Sequence, residues 1–431
     1  MYKLVFSLLL LFIITANAKS EVNFATVDSV SYQLYMEGNW DKLLQIGTEA
    51  LQKNIDFKNL RKRMGYAFFC KGDYYASHNQ YYKAYQFDKA DADSKIYLYY
   101  CGLYLGDEVL TRYYSDKLTV DEQLRLNAPS AHQLLSAVDV EYNRKYNSDI
   151  STLRSNPIYY RVGVKTQINN RLSLYQSVSL FQQSLSQTSQ LLDTIVEFNR
   201  KVKTDISIGT KQFEYYSLLG IVLSENLKLN VGYHYLNTNL NLSRKYALDS
   251  LENPALYMQA VAMTDSTIQT HSNMFFAKLS TNVNRFTFGL SGSYLNSNNV
   301  AYSQFGLHAG VKFEGKANVY YNNSIYKLSG NSNNRFVVSQ SLGGQISKPL
   351  WIEANVTVGN LYNFNDFDGL YVYNSVDPTV FKTGVSLYYN YNPHLTFVGN
   401  LGFDIKEFES ESAIKTNYNQ QSLSGGIIWK F

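Results

Sequence analysis

From about residue 136 to the end of the chain, polar and apolar residues alternate, a period of two that places them on opposite faces of β-strands. Over residues 158–168, Ile158, Tyr160, Val162, Val164 and Ile168 share one face; Tyr159, Arg161, Gly163, Lys165 and Gln167 share the other. Over residues 227–236, Leu227, Leu229, Val231, Tyr233 and Tyr235 oppose Lys228, Asn230, Gly232 and His234. Residues 304–313 set Phe305, Leu307, Ala309, Val311 and Phe313 against Gln304, Gly306, His308 and Lys312. The chain stops on the same pattern: Leu423, Gly425, Ile427, Trp429 and Phe431 alternate with Ser422, Ser424, Gly426, Ile428 and Lys430. Upstream, over residues 24–125, the alternation is absent and the pattern is helical.

The connections between strands also follow a rule. Short ones fall near Asn169-Asn170, Glu225-Asn226, Val283, Glu314-Gly315, Ser347-Lys348 and Asn392-Pro393. Longer ones are predicted near 188–206, 239–270, 296–300, 329–334, 362–378 and 408–416. Short turns on one side and longer loops on the other are the habit of membrane barrels. The strand at 157 ends in a short turn, so an earlier strand must carry the chain across first. Residues 136–146 supply it, with Val138, Val140 and Tyr142 opposed to Ala137, Asp139, Glu141 and Asn143. The count is then about fourteen, an even number as bacterial single-chain barrels require, with twelve and sixteen also compatible. The strand near 210–223 is the least regular, because Leu218, Leu219, Ile221 and Val222 blur its alternation. The expected fold is α+β in two separate domains: a small N-terminal α-helical solenoid over 24–125, then a transmembrane antiparallel β-barrel over 136–431.

The helical region is a repeat. Gly38-Asn39-Trp40, Gly72-Asp73-Tyr74 and Gly106-Asp107-Glu108 recur about every 34 residues, and Ala50 and Ala84 keep the same register. This resembles the tetratricopeptide repeat, in which Gly turns the chain between two helices and Ala lets them approach. Ser77 stands where the pattern usually has Ala, and the third unit is degenerate, with Leu118 at the expected Ala. Tyr32, Tyr66 and Tyr100 share one repeat position; Tyr35, Phe69 and Leu103 share another. The resemblance implies that these positions face a peptide-binding groove; packing between helices is the competing role. Cys70 and Cys101 are the only cysteines. Either a disulfide or two free thiols fits an exported protein.

Both termini point to export. Lys3, the apolar run Leu4 to Ile14 and Ala16-Asn17-Ala18 form a secretory signal peptide over residues 1–18. The C-terminal strand resembles the assembly signal of bacterial outer-membrane barrels, which implies recognition of Leu423, Gly425, Ile427, Trp429 and Phe431 by the barrel-insertion machinery. Taken whole, the chain resembles the tetratricopeptide-fused outer-membrane barrels of Bacteroidota. That resemblance implies a barrel in outer-membrane lipid, a periplasmic N-terminal domain and a periplasmic protein or peptide as partner.

Composition agrees with this and excludes other classes. The mean hydropathy of −0.26 suits strands that average an apolar face with a polar one. Tyr is abundant, at 38 residues, and Pro rare, at 6. A net charge of +4 over 431 residues gives no reason to expect nucleic acid. By parity the lumen takes Arg161, Lys165, Lys228, Lys278, Arg285, Lys312, Arg335 and Lys382, with acids Asp139, Glu141, Glu214, Glu353 and Asp404. This modest excess of bases predicts a preference for anions. His234 and His308 fall on the lumen face as solvated polar residues, and His394 at a short turn. Asn365, Asp366, Asp368 and Gly369 cluster in a loop but lack calcium-loop spacing. No zinc spacing, phosphate loop or catalytic set is visible, so neither a metal nor a cofactor is expected and an enzyme is disfavoured. Residues 239–270 are expected to be the largest outer loop, folding over the mouth or into the lumen. The leading functional reading is a barrel that anchors a periplasmic peptide-binding solenoid, in transport or docking. The rivals are a conducting channel in which the solenoid is a plug or spacer, and a lipid-modifying enzyme.

Overall fold

The structure is a computed structural model that describes residues 23–128, 135–148, 155–191, 200–250, 262–313, 318–330, 333–375, 377–409 and 415–431. The predicted signal peptide lies outside the described residues. The chain divides into two compact units at Thr119/Val120.

The first unit is three helix pairs in strict register. The leading helices are α1 (Phe24–Met36), α3 (Lys58–Cys70) and α5 (Ala92–Tyr104). The following helices are α2 (Trp40–Gln52), α4 (Tyr74–Phe87) and the shorter α6 (Glu108–Ser115). Each pair turns at a glycine with positive φ: +69° at Gly38, +78° at Gly72 and +59° at Gly106. A side chain there would be strained, so glycine is what the turn requires. The next residue caps the second helix. Asn39, Asp73 and Asp107 accept hydrogen bonds from backbone N–H groups of the first turn. The expected Ala is replaced at Ser77 without a buried orphan, because its hydroxyl donates to the Gly65 carbonyl at 2.8 Å. Leu43, Ala50, Leu60, Met64 and Ala67 form a closed core. The final helix, α7 (Val120–Arg125), falls in the second unit.

The second unit is a closed antiparallel barrel of fourteen strands. In chain order these are β1 (Leu135–Asn147), β2 (Ile158–Gln167), β3 (Leu172–Leu191), β4 (Arg200–Val222), β5 (Leu227–Ser250), β6 (Ala262–Val283), β7 (Phe286–Ser297), β8 (Val300–Lys312), β9 (Tyr320–Gly330), β10 (Asn333–Ser347) and β11 (Leu350–Val358). After a two-stranded ribbon, β12 (Asn365–Asp366) and β13 (Tyr371–Val372), come β14 (Thr379–Asn390), β15 (Leu395–Glu409) and β16 (Lys415–Lys430). The ends close by pairing β1 with β16, Ala137 opposite Lys430 and Val140 opposite Ile427. Closure leaves no sheet edge in this band, which is the condition for strands to cross a bilayer. The outward positions are the predicted ones. Val162, Leu290, Leu307, Val385, Leu401 and Ile427 all stand exposed on the exterior, and this apolar exterior identifies a membrane-spanning barrel. Among the described residues no helix is long and apolar enough to cross a membrane.

Four expectations about connections need correction. The segments near 188–206 and 239–270 are mostly strand, since β3 runs to Leu191, β4 starts at Arg200, β5 runs to Ser250 and β6 starts at Ala262. Residues 239–250 pair continuously with β4; residues 251–261 lie outside the described set. The connection at 296–300 is a two-residue turn, Asn298-Asn299, both at positive φ, which matches the twist of the flanking strands. The connection at 362–378 does not stand outside at all.

Candidate functional site: a lumen crossed by its own loop

The segment that joins β11 to β14 runs through the barrel over its described residues, 359–375, 377 and 378. The segment leaves the wall at Gly359, whose φ is +129° and where a Cβ would lie 2.5 Å from the Phe336 carbonyl oxygen. Its polar groups then reach lumen residues around the circumference. The Tyr371 hydroxyl donates to Glu141 on β1 at 2.9 Å, and the Asn374 amide to Gln212 on β4 at 2.8 Å. Asp368 accepts from Asn230 on β5 at 2.8 Å and pairs with Lys278 on β6 at 3.0 Å. Its carbonyl accepts from the Tyr216 hydroxyl at 2.8 Å. Asn365 donates to Ser293 on β7 and exchanges bonds with Gln304 on β8. Arg335 on β10 donates to the Tyr362 carbonyl, and Lys382 on β14 to the Tyr373 hydroxyl. On β16, the Tyr418 hydroxyl donates to Asp377 at 3.0 Å.

Apolar contacts hold the same loop. Leu361 and Phe364 are fully buried against the lumen side chains Tyr326, Leu328 and Val337. Val372 from the loop and Leu218 from β4 both pack against Met274, Phe276 and Leu295. This patch explains the irregular strand near 210–223: Leu218 faces inward onto an apolar cluster that the loop shares.

The lumen charges are thereby engaged. Arg161 pairs with Glu141 at 2.8 Å and Asp139 at 3.5 Å, Lys145 with Asp404 at 3.1 Å, and Lys382 with Asp366 at 3.6 Å. The acidic loop cluster is therefore a set of counter-ions. Glu353 accepts from the Tyr320 hydroxyl. Lys165, Lys228 and Lys312 lie on strands at lumen parity. Arg285 sits in the turn between β6 and β7, one residue before β7 begins at Phe286. His234 is not solvated either. It is 1% exposed, with Nδ1 2.9 Å from the Gly369 carbonyl oxygen and Nε2 3.4 Å from Glu214. His308 bridges Ser291 and Ser324 at 2.8 and 2.9 Å. His394 lies in the turn before β15, with Nδ1 2.9 Å from the Lys430 carbonyl oxygen.

The loop leaves a cavity of about 860 Å³ beside it. Its lining reaches from low positions such as Asp139, Glu353 and Val398 to high ones such as Thr210, Leu240 and Thr270.

In the helical unit the six predicted groove residues divide. Tyr32 and Leu103 are exposed, at 53% and 47%. Tyr35, Tyr66, Phe69 and Tyr100 are half-buried in an aromatic ladder: Tyr35 and Tyr66 rings lie 5.3 Å apart, Tyr66 and Tyr97 5.6 Å, Phe69 and Tyr97 5.3 Å, Phe69 and Tyr100 6.3 Å. Sequence reading missed Tyr97, the rung that joins them, because it is off the repeated register. Burial, then its neighbours Tyr66 and Tyr35, push the Tyr97 hydroxyl up to about 12. The cysteines are free: Cys70 is exposed, while Cys101 is buried with Sγ 3.4 Å from the Ser77 hydroxyl. Burial pushes the Cys101 thiol up to about 12.

No protein-family model matches the chain, and no curated protein matches it. Solved structures similar to it are barrels. The P. putida toluene transporter TodX aligns with 71% of this chain and 91% of its own, at 9% identity and a TM-score of 0.40. A Pseudomonas aeruginosa FadL homologue aligns with 70% of this chain and 93% of its own, at 10% identity and 0.39. A bacterial polysaccharide outer membrane secretin aligns with 69% and 99%, at 8% identity and 0.37.

Proposed function

We propose that this chain is a gated outer-membrane transport barrel whose path is held shut by loop 359–378. Its helical unit, a tetratricopeptide-type solenoid, docks a periplasmic protein or peptide. The observation that carries the gating is the circumferential attachment of the loop, through Glu141, Lys278, Gln304, Arg335 and Lys382, to opposite walls of one lumen. The anion-selective reading weakens for the same reason, since Arg161, Lys278 and Lys382 already face carboxylates. Transport also accords better than catalysis with a lumen whose histidines serve the packing of loop and wall. For docking, Tyr32 and Leu103 are the surface-accessible members of the repeated positions, with the ladder beneath giving them a rigid base.

The test is planar-bilayer conductance of the full chain against a variant in which residues 361–377 are replaced by a short Asn-Gly turn. The full chain is expected to be silent or to conduct in small, rare steps, and the replaced variant in large steady ones. Equal large conductance in both overturns the gate. Docking is read separately, by cross-linking capture from a periplasmic extract with Tyr32→Ala/Leu103→Ala; an unchanged partner set overturns that half.

A further inference from the structure

The long strands carry an inversion of polarity that the membrane alone does not require. A tilted membrane strand needs about 9–11 residues. β3, β4, β5 and β6 have 20, 23, 24 and 22. Pairing of β2 with β3 stops at Ile158 opposite Gln182, and pairing of β6 with β7 at Ser272 opposite Ser297. Beyond those points the four strands continue together as a blade above the barrel. Within the barrel their outward side chains are apolar, such as Val178, Tyr215, Tyr235 and Phe275. Along the blade the outward row Ser184, Gly209, Asn241 and Thr267 is polar or small, while the first two inward rows carry five apolar side chains among eight. One inward row is Gln183, Thr210, Leu240 and Ile268; the next is Leu185, Ile208, Leu242 and Ser266.

Part of this face opens onto the cavity. Leu185 and Leu240 line it from the blade beside Gln183 and Thr210, Phe181 from the barrel wall just below, and Phe367 and Leu370 from the loop. Phe367 is 54% exposed and stands at φ +50°, followed by Asp368 at +55°. A bulky residue rarely adopts that backbone region, and strain of this kind collects at ligand clamps. Deeper in the same cavity the wall lining is hydrogen-bonding: Asn355, Ser386, Tyr388 and Asn400. Its cations already have carboxylate partners, so they do not call for a charged guest.

We infer that the cavity between the blade and loop 359–378 is a binding site for a small molecule with an apolar body and a neutral hydrogen-bonding end. The body lies against Leu185, Leu240 and Phe367, and the polar end points down to the tyrosine and amide groups. The volume of about 860 Å³ lies within the range of small-molecule sites, roughly 300–1,000 Å³, and is too small for a folded partner. This rests on the gated-barrel reading and names the class of solute that would meet the gate.

The test is photolabelling of the full chain in lipid nanodiscs with a diazirine-bearing benzyl alcohol, mapped by peptide mass spectrometry. Saturable labelling of residues 181–185 and 362–375, displaced by excess benzyl alcohol, is expected. Phe367→Ser and Leu240→Asn should each weaken half-saturation about tenfold, the worth of one buried apolar side chain. Heat-modifiable gel mobility confirms that each variant is a folded barrel, and Phe367→Leu should retain most of the labelling. Labelling that never saturates, or that falls only on lipid-facing residues such as Leu290 and Leu307, overturns the site. The conductance experiment is independent: loss of the gate with labelling intact removes the gate alone, and the converse removes the site alone.

Discussion

In the helical unit Leu43, Leu60 and Ala67 are shut away from solvent, whereas in the barrel Leu290, Leu307 and Leu401 are half exposed or more. The same residue types occupy opposite sides of their units because the solvents differ. Water drives the helical core inward, at roughly 25 cal/mol per Å² of apolar surface removed. Lipid offers no such drive, so the barrel is held by its closed hydrogen-bond ladder and can spend its outward face on apolar contact. The blade of β3–β6 extends the comparison: once those strands leave the lipid band, their outward face becomes polar again.

The sharpest break of that comparison is removal of β16, residues 415–431. It unpairs β1 and β15 together, leaving two edges that cannot sit in lipid. The barrel is expected to vanish from the membrane fraction altogether, while the helical unit keeps its far-UV signature of folded helices. A stable, heat-modifiable barrel lacking β16 would show that ladder closure is not what holds this unit.

Point substitutions should reproduce the contrast on a smaller scale. Leu60→Ala empties part of a closed core and should cost the helical unit about 2–5 kcal/mol in urea unfolding. Leu307→Arg on the lipid face should cost the barrel about 2–4 kcal/mol near the bilayer midplane, with much less for the same change near the interface. Each should leave the other unit's transition in place. Coupled transitions would mean that the two units do not unfold independently.

These cores were legible to different depths in the sequence. The helix starts could be placed because Gly38, Gly72 and Gly106 mark a backbone conformation that few residues tolerate. The barrel and its fourteen strands could be counted because lipid imposes one phase on every strand that crosses it. The blade reads as loops in the sequence because that phase inverts: Leu240 and Leu242 are apolar on the lumen side, so the lipid-facing alternation ends although the strand does not. The internal loop was invisible because its anchors, from Glu141 to Tyr418, are scattered across the whole barrel sequence. Its one local trace was Leu218, an apolar residue on the lumen face. The same limit applies to Tyr97, which completes the aromatic ladder from outside the repeated register.

The smallest effect concerns one thiol inside the water-driven core. Cys101 sits fully buried, and burial raises its pKa from 9.0 to about 12. A raised folded value means that the unfolded chain gives up this proton first as pH rises. The stability from keeping the thiol neutral is therefore complete below pH 9 and lost between about 9 and 12. At pH 10 the loss should be about 1.4 kcal/mol from this group. Cys101→Ala carries a packing cost that does not vary with pH, so the slope is what distinguishes it. Urea unfolding of the helical unit at pH 8, 9 and 10 should show a stability difference between the wild type and Cys101→Ala that narrows as pH rises. Exposed Cys70 supplies the internal control, since it should react with a thiol reagent in the native protein at neutral pH while Cys101 waits for unfolding. A pH-independent difference, together with rapid native labelling of both thiols, would mean that water reaches the interior of the helical stack, and the contrast with the barrel would lose its sharper half.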